Sequence, residues 1–184
     1  MTALNESELT ANDLLARLER LEAERDVRHA LNDYFYLLDA GRVEDLLDVY
    51  SREVDWSASN IPFGSGRRLA LTGRAQVRPV VESLGYGGFR HHGVNADIYV
   101  DDAATSAWTT SYMLVVSRST EVPGTTLLLG GLYEGTWTRD SDRWRIGAWH
   151  ISHQWMVDGV GSEKFFDGLR EGTRWDGLRR EEDS

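Results

Sequence analysis

With 184 residues, 41% of them hydrophobic, the chain suits one domain with a sizeable core and is too apolar to be disordered throughout. A formal net charge of −10 with no basic block argues against nucleic acid and anionic membrane surfaces as partners. The absence of cysteine excludes disulfides, thiolate catalysis and cysteine metal sites, and no apolar run reaches the roughly 20 residues that cross a bilayer. The N-terminus is acidic rather than signal-like, so a soluble cytoplasmic protein is the simplest expectation.

In chain order, residues 1–12 read as a flexible leader, 13–157 as the folded domain and 158–184 as a partly helical C-terminal arm with a frayed end. Asn12 is the expected N-cap of a long helix that stops before Gly41. Leu14, Leu18 and Leu21 form one stripe at helical spacing, and Val27, Leu31, Tyr34 and Leu38 form another. The first half of this helix reads as packing on a partner subunit or on its own domain. A short helix follows over Val43–Tyr50, then a strand at Glu53–Trp56, a Ser/Gly/Pro loop over 57–68 and an extended piece at Leu69–Leu71. A helix is predicted at about 74–84, kinked or shifted by Pro79. Strands then run from His91, over Ser106–Arg118, over Thr125–Arg139 and over Arg143–Trp155, with a hairpin turn at Asp140–Asp142. Gly130–Gly131 suggests a bulge or a close ligand approach. Helices followed by antiparallel strands argue for an α+β fold.

Two chemical leads stand out. His91 and His92 open a strand in which Val94, Ala96, Ile98 and Val100 share a face. Strict alternation puts His92 on that apolar face; a bulge at Gly93 would put His91 there instead. Asp39 ends the long helix among Tyr34, Phe35, Tyr36, Leu37 and Leu38, where a lone carboxylate is costly unless paired. Asp39 is expected to pair with His91. Such a pair is a general-base device: the carboxylate fixes one ring tautomer and the free nitrogen takes a proton. His150 and His153 face opposite ways on a strand and have no evident third ligand, so no metal site is expected. Trp56, Asn95, Tyr112, Tyr133, Trp137, His153 and Trp155 are candidates for the walls of a substrate pocket.

Four stretches carry a resemblance over roughly residues 20–157: Tyr34–Gly41 with Asp45-Leu46-Leu47, Gly73 before a short helix, His91-x-x-x-Asn95, and Gly131-Leu132-Tyr133-Glu134 leading to Trp144-Arg145-Ile146. In order and spacing they resemble the SnoaL-like branch of the nuclear transport factor 2-like superfamily. The resemblance implies a cone-shaped, curved antiparallel sheet with three helices enclosing one pocket. It also implies a cofactor-independent lyase or isomerase. Scytalone dehydratase and bacterial bile-acid dehydratases use an aspartate at the end of the long helix and a histidine at a strand start, which fall on Asp39 and His91. A tyrosine five residues before the aspartate falls on Tyr34. The implied substrate is a small hydrophobic carbonyl compound such as a polyketide, steroid or terpenoid intermediate, and the implied assembly is a homodimer. The basic residues of the related dehydrochlorinase fall near Trp149 and Tyr34, which argues against dehydrochlorination. The rival reading is a non-catalytic ligand-binding or subunit-forming cone domain.

Overall fold

The computed structural model describes residues 10–61, 63–85, 88–118 and 124–160. Most of the leader and of the C-terminal arm lies outside these residues; positions 158–160, expected in the arm, are the end of the last strand. In chain order the elements are α1 (Ala11–Asp39), α2 (Val43–Val49), β1 (Tyr50–Ser59), β2 (Arg68–Thr72), α3 (Arg74–Gly85), β3 (Arg90–Val100), β4 (Ser106–Arg118), β5 (Thr126–Asp140) and β6 (Arg143–Val160). Among the described residues, no helix is long and apolar enough to cross a membrane.

Thr10, not Asn12, caps α1. Its hydroxyl accepts from the Asp13 N–H at 3.2 Å and the Asp13 carboxylate accepts from the Thr10 N–H at 2.9 Å, a reciprocal capping box. Because the Asp13 carboxylate can reach back to the Thr10 amide, the helix starts one turn before Asp13, with Asn12 inside it. At the other end Gly41 adopts φ 65°, which a residue without a Cβ takes at no cost. Ala23, Val27, Leu31, Tyr34, Phe35 and Leu38 form the buried stripe of α1. Pro79 lies inside α3, which continues past it.

The strands form one open, curved sheet in the order β2-β1-β6-β5-β4-β3. Every pairing is antiparallel except β1 with β6, which is parallel. The concave face carries Trp56, Ala58, Met113, Val115, Tyr133, Trp137, Trp149 and Ile151 and closes on α1. Asp48 ties the helical end to the sheet by ion pairs to Arg74, Arg143 and Arg145. One strand reverses the simple expectation that large apolar side chains point inward. In β4 the buried set is Ala107, Thr109, Ser111, Met113, Val115 and Ser117, while Trp108 and Tyr112 face outward and are exposed. Bulky side chains from neighbouring elements fill the space over β4, so that strand contributes small ones; Trp137, for example, donates its indole N–H to Thr109 at 2.9 Å.

Candidate active site

Asp39 is the last residue of α1 and His91 the second residue of β3, and the fold brings them into contact. His91 Nδ1 lies 2.6 Å from Asp39 Oδ1. The backbone N–H of His91 also donates to both carboxylate oxygens, at 3.1 and 3.0 Å. An ionised carboxylate can only accept, so the ring proton sits on Nδ1 and Nε2 is left as a bare lone pair. The pair is sheltered, with side-chain exposures of 7% for His91 and 17% for Asp39. Burial pulls the His91 imidazole below its ordinary value of 6.5, outweighing the upward pull of Asp39. A carboxylate partner alone would raise that value; the desolvation of the ring reverses the sign.

Facing on β3 is set by a bulge. Val94 pairs with Tyr112 and Asp97 with Thr110, so Asn95 and Ala96 together oppose Ser111. Asn95 takes a left-handed φ of 53°, and Arg28 of α1 donates to the Ala96 carbonyl at 3.4 Å. Ahead of the bulge His91 and Gly93 point to the concave face; beyond it Ala96, Ile98 and Val100 do. The apolar residues and His91 therefore share a face although alternation separates them. Val94 is 43% exposed and His92 is exposed. The bulge lies two residues beyond Gly93. Gly93 itself has another role, since a Cβ there would collide with the Phe35 ring.

The other candidate residues divide between the two faces. Tyr34 is buried on α1, its ring 4.8 Å from that of Trp149 and 5.9 Å from that of Tyr50. Burial pushes its phenol up to about 12. Tyr133 is buried on the concave face, its ring 5.0 Å from Phe35 and stacked on Trp149 at 5.6 Å, and burial pushes its phenol up as well. Trp56 and Trp137 are buried on the same face. His153 pairs with Gly131 in the row that starts at Gly93 and passes through Met113. Its Nδ1 donates to the Ser59 carbonyl at 3.0 Å, and burial lowers its pKa.

Asn95, Tyr112 and Trp155 stand elsewhere. Asn95 is exposed at the bulge, Tyr112 is 58% exposed on the outer face, and Trp155 lies over Gly130, whose free side is the outer one. The Gly130–Gly131 step does coincide with an irregular register against β6; there the Trp155 ring and the Ser152 carbonyl occupy the two missing Cβ positions. His150 is also on the outer face. Its Nδ1 is 2.8 Å from Ser57 Oγ, which accepts from Arg68 at 3.0 Å, within a cleft of about 500 Å³ that Trp108 and Glu134 also line. That cleft touches neither Asp39 nor His91. Sequence reasoning passed over Phe35, Met113 and Val115, which flank His91 and Gly93; the odd-numbered alternation of β4 is the signal that marks the last two. Among the described residues, no group of three or more His, Asp or Glu side chains is placed to hold a metal ion.

Residues 19–150 match the SnoaL-like domain. A search of curated protein sequences finds no match. Among solved structures, a protein assigned as a scytalone dehydratase from Novosphingobium aromaticivorans is 23% identical with a TM-score of 0.65, over 79% of this chain and 93% of that one. A nuclear transport factor 2-like protein with a cystatin-like fold from the same organism is 20% identical with a TM-score of 0.63, over 85% and 96%. A hexachlorocyclohexane dehydrochlorinase, LinA-type3 from Novosphingobium barchaimii, is 16% identical with a TM-score of 0.64, over 79% and 95%. At these identities the likeness is one of fold. Because the matched domain spans most of the chain, this protein belongs to the SnoaL-like domain family.

Proposed function

We propose that the protein is a cofactor-independent lyase or isomerase, dehydratase- or cyclase-like, that acts on a small hydrophobic carbonyl compound such as a polyketide, steroid or terpenoid intermediate. The observation that carries this reading is the sheltered contact of Asp39 with Nδ1 of a histidine whose ring stays neutral. Nε2 of His91 takes the proton from the carbon next to the carbonyl, and the C–H electron pair moves into an enolate. Tyr34, a buried phenol protonated at neutral pH, offers its O–H to the enolate oxygen. A hydroxyl one carbon further on leaves with its bonding pair, takes the proton from the imidazolium and departs as water. If the carbanion is instead reprotonated elsewhere, or attacks a second carbonyl, the same pair serves isomerisation or cyclisation. Tyr133, Trp56 and His153 supply the concave wall.

Asp39→Asn and His91→Ala should each lower turnover about 10²–10⁴-fold, tested on a panel of β-hydroxy carbonyl substrates by enone absorbance with the fold checked by circular dichroism. NMR titration of the histidines in wild type and Asp39→Asn gives a readout that needs no substrate. The His91 resonance should titrate at a lower pH in the variant, because the upward pull of Asp39 is gone. A His91 titration indifferent to Asp39→Asn would sink the assignment. The rival, a non-catalytic subunit-forming domain, draws support from the exposed Tyr99, Trp108 and Tyr112 on the outer sheet face. A homodimer formed through that face accommodates the same band without giving up the chemistry.

A further inference from the structure

The first three turns of α1 carry Leu14, Leu15, Leu18 and Leu21, which are 51–64% exposed. The helix does not bury a residue on its own domain until Ala23. Leu14 and Leu18 lie directly opposite the first two residues of the buried stripe, Ala23 and Val27. Leu14 is nine residues from Ala23 and Leu18 is nine from Val27, and nine steps of about 100° make two and a half turns. The domain that α1 anchors therefore cannot cover them. Arg20, on the domain side, is tied down by an ion pair to Asp102 at 2.6 Å. The apolar stripe also ends where the domain begins, because the next position on that face is the exposed Arg25.

Leu14, Leu18 and Leu21 follow the four-three spacing of a coiled-coil seam, at positions d, a and d. In that frame Arg17 takes position g and Glu22 position e of the next heptad. In a parallel pair these two positions meet across the seam, so Arg17 of each helix faces Glu22 of the other and the symmetry makes the ion pair twice. From this complementarity, and from the direction of the stripe, we infer that the N-terminal half of α1 docks in parallel on the same segment of a second copy of this chain. The contact is independent of the catalytic reading and of any association through the sheet.

The chain has no cysteine, so single introduced cysteines report the contact cleanly. In a parallel pair each core position faces its twin, within reach of a disulfide. Full-length Leu14→Cys and Leu21→Cys should each form a covalent dimer under mild oxidation at least about ten times faster than Glu19→Cys, an exposed position off the seam. Added to Leu21→Cys, Arg17→Glu should slow the reaction, and Arg17→Glu with Glu22→Arg should restore it. Cross-linking no faster than in Glu19→Cys would overturn the proposal and leave the stripe to another segment or another protein. A charge swap that fails to restore the rate would overturn the parallel alignment, and the proposal with it.

Discussion

Burial pulls the His91 imidazole below its ordinary value, and this has a consequence for pH. Its folded pKa lies below the 6.5 of the unfolded chain, so between those two values the unfolded state binds the extra proton. Stability on this account is fully present above about 6.5 and is lost as pH falls through the folded pKa. His153, lowered mainly by burial, acts in the same sense. The melting temperature should therefore drop between pH 7 and pH 5, and His91→Gln should remove part of that slope. The acid limb of kcat/KM should fall below 6.5 and move lower still in Asp39→Asn. The pairing of Asp39 with a histidine was legible in the sequence, because an isolated carboxylate among aromatic side chains demands a partner. The direction of the shift was not, since it depends on how deeply the ring is desolvated once helix and strand have met.

At the scale of elements, the deciding feature is the two-residue step at Asn95 and Ala96. Asparagine tolerates the left-handed backbone that the step requires, and glycine would too; a β-branched residue would not. Asn95→Gly should be close to neutral, whereas Asn95→Val should cost about 1–2 kcal/mol in chemical denaturation and disturb the titration of His91. Asn95 thus shapes the backbone of β3 near the Asp39–His91 contact, while its side chain stays in solvent. Sequence alternation alone pointed His92 at the interior, because a bulge leaves no mark on hydrophobic periodicity other than the break it causes. Tyr112 misleads for a related reason. Large apolar residues suggest an inner face, but the space over β4 is already taken by side chains from other elements. The start of β4 at Ser106, by contrast, was readable to the residue, since a turn precedes it.

On the scale of the whole molecule, one aromatic cluster joins the long helix to the sheet. Tyr34 and Phe35 from α1, Tyr50 from β1, Tyr133 and Trp137 from β5 and Trp149 from β6 form a chain of ring contacts between 4.8 and 6.4 Å. Trp149 touches three of the others, and Trp149→Ala should cost roughly 3–5 kcal/mol, measured by urea unfolding. The α+β class and the helix-then-sheet order could be read from composition and spacing. The parallel seam between β1 and β6 could not, because nothing local in either strand specifies a partner so far along the chain. Ser57 and His150 meet across a separation of 93 residues. The hairpins β4–β5 and β5–β6 close short loops, whereas β1 can join only after the chain between has been gathered. The seam should consequently form after the rate-limiting step of folding. Ala58→Gly, at a fully buried seam position, should speed unfolding in stopped-flow measurements and leave the refolding rate almost unchanged. The strand that completes the sheet thus sets how long the native state lasts more than how quickly it is reached.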